Sequence, residues 1–591
     1  MPTTHAHERG MTRVWVPRSP IEIGVAPPAS NLEPLVARIL EARGLTGGAE
    51  DFLNPSLKQL HEPALMPGID RAAERLLAGL RRGEPIAIYG DYDVDGVSAT
   101  AILYHAMRAV EPRADVRTYV PHRVDEGYGL HDAALRQLAA EGVKLVVSVD
   151  CGVTAVGPAR AAADAGLDLI ITDHHNLPEG SEAGSTGDLP AAYAIVHPRL
   201  PGSAYPFGDL CGAGVAFKLA WRLASQANGG GRVREDLKTL LIELLAFAAL
   251  GAIADAVPLL GENRVIARFG LSRIKHSRII GLRALVEASG LAGDKVDSEH
   301  VGFVLGPRLN ACGRMGHAKD AVELFTTAGP ERAADIARTL SGLNDERRAT
   351  ETKIVGQAVE MAHAAGMTGP DRRAVVLAHP EWHTGVLGIA CSRLVDRFHR
   401  PTILMQTHAG ECRGSGRSID GYSLHAGLAR CAGLLTTFGG HDMAAGLHLP
   451  ERDLEAFVEA FVRDAGERLA PEDLAGRVTV DCDARLDEMT AAAVARLEMM
   501  APFGQGNPRP RVLVRGVRLA AAPQALGKEG KHLALQLRQG PTLLRCVAWN
   551  WGPSAARLAR GVDVDVVVAP KLSSWNGSVR VEPELVDLRV T

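Results

Sequence analysis

The feature that most constrains this 591-residue chain is the stretch P-I-A-I-Y-G-D-Y-D-V-D-G-V-S-A-T, residues 85–100. Its apolar run ends in three alternate carboxylates, Asp91, Asp93 and Asp95, and a helix-forming segment follows. This pattern predicts a strand, a loop and a helix, with the acids at the carboxyl end of the strand, where open α/β sheets bind ligands. Because close carboxylates repel one another, we expect a divalent metal ion there.

Two other interpretations of the D-x-D-x-D-G pattern do not fit the residues around it. A calcium-binding EF-hand loop needs a bidentate Glu at its twelfth position, and counting from Asp91 this position is Ile102. A phosphatase with an aspartyl nucleophile usually carries Thr or Val at the position of Asp95. Partners for the acids must therefore come from elsewhere in the chain.

Composition limits the class of protein. A chain of this length predicts roughly three or four domains, and its 46% apolar and 23% charged residues are ordinary for a soluble globular protein. We find no apolar run that approaches the length of a membrane span, and the first twenty residues lack the apolar stretch of a secretory signal. Eight cysteines are scattered without a C-x-x-C pair, which favours a reducing cytoplasm.

The chain divides by pattern into six parts. Residues 1–18 are expected to be an unstructured lead-in, and residues 19–84 a helical cap. In residues 85–325, β-type runs alternate with helical runs, which predicts a parallel sheet with crossover helices. A charged amphipathic run within residues 326–366 predicts a connecting helix. Residues 367–475 form a second α/β unit, and residues 476–591 contain short alternating runs, which predict a compact antiparallel barrel.

Several polar residues follow the predicted strands of the first α/β part. The predicted strands are Ile86 to Tyr89, Val116 to Val120, Leu145 to Val149 and Leu167 to Ile171. Asp150 follows the third strand, and the motif T-D-H-H at 172–175 follows the fourth. Asp255 lies in the otherwise apolar turn G-A-I-A-D-A-V-P-L. A mixed set of imidazole and carboxylate ligands suits Mn²⁺, Fe²⁺, Co²⁺ or Zn²⁺ better than Ca²⁺.

The C-terminal part is more basic than the rest. The net charge of the whole chain is −4, but residues 511–591 hold twelve Lys and Arg against six Asp and Glu. Three tryptophans, Trp549, Trp551 and Trp575, are interleaved with these bases. This combination is typical of an oligonucleotide-binding (OB) fold that stacks bases and holds a single strand by its backbone charge. The alternative is that the tryptophans form the core of the barrel.

The chain resembles the DHH phosphoesterases, which are named for the triplet at 173–175. The segments D-Y-D-V-D-G, S-V-D-C-G, T-D-H-H and G-A-I-A-D match the four metal motifs of this family in order. Five further segments resemble the family's single-strand-specific exonucleases: L-C-G-A-G-V-A-F-K (210–218), G-P-R-L-N-A-C-G-R-M (306–315), W-H-T-G-V-L-G-I-A (382–390), G-S-G-R-S (414–418) and G-G-H-D-M-A-A-G (439–446). The resemblance implies two α/β domains, DHH and DHH-associated (DHHA1), joined by a long helix and followed by a C-terminal OB-fold β-barrel.

The resemblance also implies roles for particular residues. The expected metal ligands are Asp93, Asp95, Asp150, His174 and Asp255, with Asp150 bridging two ions of Mn²⁺ or Mg²⁺. Asp91 is a further candidate ligand, since members of the family differ at that position. His175 is expected to contact the substrate phosphate, and Asp173 to orient the histidines. Two such ions would activate a water molecule and stabilise the leaving oxygen.

A second group of residues is expected to bind substrate. Guanidinium groups match phosphate oxygens, so Arg314 and Arg417, together with the hydroxyl of Ser415, are candidates for binding a terminal 5′-phosphate. Arg123 and Arg308 are further candidates for phosphate contact. His441 and His383 are candidates for substrate contact, although a tight glycine turn could equally explain the segment around His441. For Trp549, Trp551 and Trp575 we expect that at least one stacks on a base.

These residues lead to one main hypothesis and two alternatives. The main hypothesis is a metal-dependent exonuclease that degrades single-stranded DNA from its 5′ end to mononucleotides. The alternatives are a phosphoesterase acting on small substrates, such as oligoribonucleotides or cyclic dinucleotides, and a non-catalytic scaffold that binds single strands. No nucleotide-triphosphate loop is present, so any unwinding would need a separate helicase. The resemblance implies work in recombination and repair with single-strand-binding protein, and we expect a cytoplasmic monomer without membrane contact.

Overall fold

The computed structural model describes residues 8–18, 32–123, 125–178, 189–293, 295–575 and 578–591. The chain forms two compact units that alternate along the sequence. The first unit comprises Met1–Asn54, Ala349–Ala501 and Arg509–Thr591, and the second comprises Pro55–Arg348 and Pro502–Pro508. Both units are therefore discontinuous in sequence.

A five-stranded parallel sheet is the centre of the second unit. In spatial order its strands are Val116–Tyr119, Ile86–Tyr89, Leu145–Val149, Asp168–Thr172 and Ala194–Val196. The first four match the predicted strands to within one residue, whereas Ala194–Val196 was not predicted. Every residue of Ile86–Tyr89 and Leu145–Val149 is buried, as expected for strands covered on both faces. The order of the strands reverses beside Ile86–Tyr89, and such a switch point opens a crevice at the carboxyl ends of the strands.

Helices cover both faces of this sheet. The α-helices of the second unit are Ile69–Arg82, Val94–Val110, Asp132–Ala140, Val156–Asp164, Gly212–Ala227, Glu235–Ala254, Gly261–Ile274, Ile280–Ala288, Ser298–His300, Gly306–Met315 and Lys319–Thr326, with a π-helix at Val301–Leu305. The helix Glu235–Ala254 is long and apolar enough to cross a membrane by length and composition alone, contrary to our expectation that no such run exists. Its apolar residues lie largely in the core of the unit, as in the core helix of a soluble protein.

The long helix Pro330–Ala364 confirms the predicted connecting helix, and a mixed sheet follows it in the first unit. In spatial order the strands of this sheet are Thr437–Gly440, Ala444–Pro450, Glu411–Arg417, Thr402–His408 and Val375–Ala378. Only the last two are parallel to each other. The helices that accompany the sheet are Thr384–Phe398, Leu424–Arg430 and Leu454–Arg468.

A closed barrel completes the first unit. Its five strands are Val512–Leu519, His532–Gln539, Thr542–Ala548, Asp563–Ala569 and Glu584–Val590. Val512–Leu519 pairs with both Asp563–Ala569 and His532–Gln539, which closes the ring, and Thr542–Ala548 meets Glu584–Val590 in parallel. The predicted OB fold is therefore present. Shorter elements beside the barrel are the strands Cys482–Ala484 and Gln524–Leu526 and the helix Ala491–Glu498.

Two of the alternating runs from which the barrel was predicted, residues 478–480 and 578–583, lie outside the barrel. The segment Arg477–Val480 pairs instead with Val14–Pro17. The segment Ser578–Val581 forms a two-stranded ribbon with Leu572–Trp575, and the strand that actually completes the barrel is Glu584–Val590. The prediction failed here because neighbouring β-type runs are alike locally, and only their distant partners decide which run enters the barrel.

The expected unstructured lead-in is wrong for residues 8–18. The strands Glu8–Arg9 and Val14–Pro17 pair with each other, and Trp15 is buried. Its Nε1 atom donates a hydrogen bond of 2.9 Å to Asp587 Oδ2. Asp587 also accepts bonds from the backbone N–H groups of Thr12 and Arg13 and from the Thr12 hydroxyl. This lead-in is a folded edge of the barrel region.

The residues predicted to form one helical cap, 19–84, are divided between the two units. Residues 55–84 belong to the second unit, whereas the helices Pro34–Ala42 and Ala49–Leu53 belong to the first. There the Arg43 guanidinium donates two bonds of 3.0 Å to the buried Asp481 carboxylate. Residues 19–31 lie outside the described residues.

We predict that Asp587→Ala lowers the melting temperature of the protein, because it removes the partner of a buried indole N–H and of three further donors. An unsatisfied buried donor costs about 1–3 kcal/mol. The measurement is thermal unfolding followed by tryptophan fluorescence, and Asp563→Ala, which breaks an exposed ion pair with Arg518, is the control. Equal melting temperatures for the two variants would contradict an anchored N-terminal strand.

Candidate metal centre

The loop after Ile86–Tyr89 places three carboxylates at the switch point of the sheet. Asp93 is the N-cap of the helix Val94–Val110, and its Oδ1 atom accepts hydrogen bonds from the N–H groups of Asp95 (2.9 Å) and Gly96 (3.1 Å). Capping of this kind satisfies the free N–H groups of a first helical turn. Asp91 and Asp95 are buried on either side of this cap.

The Asp95 carboxylate lies against the start of a second helix, Gly212–Ala227. It accepts hydrogen bonds from the N–H groups of Gly212 (2.6 Å) and Ala213 (2.9 Å). The N-terminus of a helix favours negative charge, so this helix holds the carboxylate in place. A Cβ atom at Gly251 would lie 2.1 Å from Asp95 Oδ1, which means that only glycine fits there.

Asp150 has an unusual backbone conformation. Its φ of 62° is in the left-handed region, which is costly for a residue other than glycine and is found mostly where function demands it. A Cβ atom at Gly212 would lie 2.4 Å from Asp150 Oδ1. Gly212 therefore serves two carboxylates, since its N–H binds Asp95 and its missing side chain leaves room for Asp150.

His174 brings its Nε2 atom into this group of acids. The distances from Nε2 to carboxylate oxygens are 3.1 Å for Asp150, 3.6 Å for Asp255 and 3.8 Å for Asp95. Burial is the main reason that the pKa of His174 falls to about 4, so its imidazole is neutral and able to bind a metal at neutral pH. Asp255 reaches the group from the C-terminal end of the helix Glu235–Ala254.

His175 and Asp173 form a separate pair beside these acids. Asp173 Oδ1 lies 2.8 Å from His175 Nδ1, and its two oxygens also accept bonds from the backbone N–H groups of Val153, His174 and His175. Burial acts to lower the pKa of His175, but the bond to Asp173 and its charge outweigh burial and raise the pKa to about 9. The half-exposed Tyr128 donates to the Asp150 carbonyl and lies 3.0 Å from His175 Nδ1. His175 is therefore cationic at neutral pH.

The donor atoms at this edge form three overlapping groups that could hold metal ions. The groups are Asp91, Asp93 and Asp150; Asp150, His174 and His175; and Asp95, His174 and Asp255, each with ligand atoms within 4.8 Å of one another. Asp150 and His174 each belong to two groups. Among the described residues, the buried atoms Asp91 Oδ1, Asp150 Oδ1 and His174 Nε2 have no hydrogen-bond partner, which fits atoms that await a cation.

The electrostatics of the acids support the same conclusion. Burial, followed by repulsion from neighbouring carboxylates, raises the pKa of Asp91, Asp93 and Asp150 above the usual range and raises that of Asp255 to about 8. A divalent cation would relieve this repulsion. The carboxylates suit Mn²⁺ and Mg²⁺, and the added imidazole favours Mn²⁺. The site can therefore bind metal ions for phosphoester chemistry.

The predicted arginines of the second unit have different surroundings. The Arg123 guanidinium lies 4.9 Å from the centre of the ring of Tyr92, a residue between Asp91 and Asp93 in sequence, and its charge acts on Asp91. The charge of Arg314 acts on Tyr92, so both arginines are near the acids. Arg308 instead donates to the Val304 carbonyl (2.8 Å) and to Ser341 Oγ (3.2 Å). Its predicted phosphate contact stays a prediction, and these bonds give it a structural purpose.

The first unit holds the remaining predicted substrate residues. Ser415 and Arg417 point to the same face of the strand Glu411–Arg417, and both are half-buried near Gly388. His441 is exposed in a turn in which its backbone bonds with Ala444. His383 caps the helix Thr384–Phe398 by accepting from the Gly385 N–H, which is a structural explanation for this residue.

The tryptophans of the barrel are not equivalent. Trp549 is 51% exposed and packs edge-on against His532. Trp551 is only 7% exposed, so its ring lies in the core and offers little face to a base. The expectation that at least one of the three tryptophans stacks stays a prediction. The side chain of Trp575 lies outside the described residues. Six of the twelve basic residues are paired with acids, which reduces the free positive charge: Arg515, Arg518, Arg545, Lys571, Arg580 and Arg589.

Sequence reasoning missed several residues that shape the site. Gly212 and Gly251 leave room for carboxylate oxygens because they have no side chain, and Gly212 also donates its N–H to Asp95. Both lie within quoted motifs, but the motifs do not show these roles. Tyr128 lies five residues after Arg123 in the sequence. Its contact with His175 depends on the path of the chain, which no local pattern shows. Asn310, within the segment 306–315, accepts a bond of 3.2 Å from the Val94 N–H at the start of the acid-bearing helix.

Comparison with known proteins identifies three parts of the chain. Residues 85–251 match the DHH family, N-terminal domain, residues 363–466 the DHHA1 domain, and residues 480–587 the RecJ OB domain. The single-stranded-DNA-specific exonuclease RecJ of Bacillus subtilis (strain 168) is 37% identical over 560 residues, which cover 94% of this chain and 68% of that protein.

Solved structures agree with these matches. The crystal structure of RecJ in complex with Mn²⁺ from Thermus thermophilus is similar with a TM-score of 0.79 and 31% identity, covering 95% of this chain and 76% of that one. The structure of RecJ in complex with Mg²⁺ from the same organism gives a TM-score of 0.73 and 30% identity, covering 95% and 75%.

We predict that Gly212→Ala weakens Mn²⁺ binding by about 10- to 100-fold, the usual effect of displacing a ligand through its neighbour. The added methyl group would overlap Asp150 Oδ1 and displace it. Isothermal titration with Mn²⁺ measures the change. Gly157→Ala is the matched control, because a Cβ atom there meets nothing within 4 Å. Unchanged Mn²⁺ affinity in a folded Gly212→Ala protein would show that Asp150 is not a metal ligand.

A second prediction concerns pH. The raised pKa values mean that these acids stabilise the metal-free fold only at low pH, and that this contribution is lost as pH rises towards about 8, the pKa of Asp255. Mn²⁺ binds the deprotonated groups, so its stabilising effect should grow between about pH 5 and pH 8. Differential scanning fluorimetry with and without Mn²⁺ in matched buffers tests this. A constant melting shift across this range would refute it.

Proposed function

The chain belongs to the RecJ family of DHH phosphoesterases, and from this premise we propose that it is a metal-dependent exonuclease that hydrolyses single-stranded DNA from the 5′ end to mononucleotides. The observation that carries the proposal is the set of three overlapping donor groups, in which Asp150 and His174 each belong to two groups. A non-catalytic scaffold would not need buried carboxylates held together against their own repulsion.

We assign metal binding to the acids and to His174. Asp93, Asp95, Asp150, His174 and Asp255, with Asp91 as a further ligand, would hold two ions of Mn²⁺ or Mg²⁺, and Asp150 belongs to two of the three donor groups. Bound there, such ions supply a water nucleophile at neutral pH and neutralise charge on the leaving oxygen. The helix start at Gly212 and the cap at Asp93 keep the carboxylates in place before substrate arrives.

Cationic groups beside the acids would bind the scissile phosphate. His175 carries a positive charge at neutral pH because Asp173 holds its proton, and a charged imidazole can donate to a phosphate oxygen. Arg123 and Arg314, near Tyr92, are positioned for further phosphate contacts. These groups orient the substrate, and no protein nucleophile is needed.

We assign binding of the rest of the single-stranded DNA to the first unit. Ser415, Arg417 and His441 are the proposed contacts for the 5′-phosphate and the backbone. Trp549 is the proposed stacking platform of the barrel, since its ring is half exposed and base stacking contributes about 1–3 kcal/mol per base. We also propose that the protein is a cytoplasmic monomer that works in recombination and repair with single-strand-binding protein and a separate helicase.

The test is digestion of single-stranded DNA that carries a 5′-phosphate and a 3′-label, with Mn²⁺ present. We expect mononucleotides to be released from the 5′ end and duplex DNA to survive. Asp150→Ala should lower the rate by more than about 100-fold, because Asp150 belongs to two of the donor groups and losing a ligand outright exceeds the effect of displacing one. Trp549→Ala should weaken binding of the strand while the rate at saturation is kept.

Trp551→Phe is the control for Trp549→Ala, because it changes a tryptophan of the barrel but keeps a buried aromatic ring. If the DNA survives while short oligoribonucleotides or cyclic dinucleotides are cleaved, the small-substrate alternative holds. If neither is cleaved although Mn²⁺ binds, the proposal of an exonuclease fails.

A further inference from the structure

The seven residues P-F-G-Q-G-N-P, 502–508, have an unusual place in the fold. They belong to the second unit, although the residues before and after them belong to the first. The ion pair between Glu498 and Arg509, 2.5 Å long, closes the base of this segment. Within the segment, Gly504 and Asn507 exchange backbone hydrogen bonds of 3.0 and 3.2 Å, and the buried Asn507 side chain donates to the Pro502 carbonyl. The segment is thus a tight, preformed turn.

Two hydrogen bonds attach this turn to the second unit. The Gln505 carbonyl accepts a bond of 2.8 Å from the Leu259 N–H. The Phe503 carbonyl accepts a bond of 2.6 Å from Ser298 Oγ. Both acceptors are backbone atoms, so the attachment depends on the shape of the turn more than on its side chains.

Close packing reinforces these bonds. A Cβ atom at Gly504 would lie 2.7 Å from Leu259 Cδ1, and Leu259 is 1% exposed. Gly506 has a φ of 71° and approaches the Pro258 side chain, at 3.0 Å from the position of a Cβ atom. Any larger residue at either position would therefore separate the turn from Pro258 and Leu259.

The contacted residues lie next to Asp255. Pro258 and Leu259 follow it in the same loop, and Ala256, directly after Asp255, has a strained, left-handed φ of 57°. Asp93 and Asp95 are held by backbone N–H groups. Among the described residues, by contrast, the Asp255 carboxylate has only His174 Nε2, at 3.6 Å, as a polar contact. The helix holds its backbone on one side, through the bond of 2.9 Å from its N–H to the Gly251 carbonyl, and the loop that follows continues the chain on the other side.

On the other side of the turn, Ser298 begins the short helix Ser298–His300. The π-helix Val301–Leu305 comes next, and a Cβ atom at Gly306 would lie 3.7 Å from Ala254 Cβ. The turn is therefore attached both to the loop after Asp255 and to the segment that packs against the residue before it.

We propose that residues 502–508 are a positioning element that fixes the loop carrying Asp255 and thereby completes the metal centre. This inference rests on the proposed role of Asp255 as a metal ligand. It implies that a protein truncated before the barrel loses metal affinity as well as its grip on nucleic acid, because the truncation also removes this turn.

The test uses the full chain and measures Mn²⁺ binding by isothermal titration, alongside the dependence of kcat on Mn²⁺ concentration. Gly504→Val should raise the Kd for Mn²⁺ by about 10- to 100-fold and leave binding of single-stranded DNA unchanged. Excess Mn²⁺ should restore kcat, which it would not do for a general defect of the fold. Leu259→Ala combined with Gly504→Val should recover part of the affinity, because it removes the atoms that clash.

Gly466→Ala is the matched control, since a Cβ atom there meets nothing within 4 Å. If Gly504→Val does not fold, Asn507→Ala replaces it, because it opens the turn without adding bulk. Unchanged Mn²⁺ affinity in folded variants, or a loss of DNA binding alone, would overturn the inference. If the unaltered protein itself binds no Mn²⁺, the proposed metal centre fails first, and the two failures are thus distinguished.

Discussion

Repulsion between buried carboxylates is the constraint on which the second unit depends. Asp91, Asp95 and Asp150 are buried at one edge of a sheet. Burial, followed by repulsion from neighbouring carboxylates, raises the pKa of Asp91 and of Asp150. Such a cluster is compatible with folding only if backbone dipoles and a cation compensate the negative charge of the carboxylates. The N-cap at Asp93 and the helix start at Gly212 supply the dipoles.

The same constraint explains why some uncommon backbone positions occur together here. Asp150 and Ala256 both have positive φ values, and each lies beside or within a loop that carries a carboxylate. Gly212 and Gly251 leave space for the oxygens of Asp150 and Asp95. Strain and missing side chains are thus concentrated where the charges are, and the well-packed helices around them, such as Glu235–Ala254, provide the stability that makes this possible.

Much of the fold and of the site could be predicted from local patterns in the sequence. Buried parallel strands are continuous apolar runs, and acids directly after them mark one edge of the sheet, so Asp93, Asp150 and His174 could be brought together by reasoning. Distant pairing could not be predicted this way. Nothing local distinguishes Trp551, which is buried, from Trp549, which is not, or shows that Val14–Pro17 pairs with Arg477–Val480.

The joining of Trp15 to Asp587 also affects how the protein is made. These residues are 572 positions apart, and ribosomes add about 5–20 residues per second, so the Trp15 indole waits roughly 30 to 115 s for its hydrogen-bond partner to be synthesised. For most of that time the strand Val14–Pro17 also lacks Arg477–Val480, the strand with which it pairs in parallel. The residues that match the DHH domain, 85–251, are synthesised much earlier, so the nascent chain carries them with an unpaired strand in front.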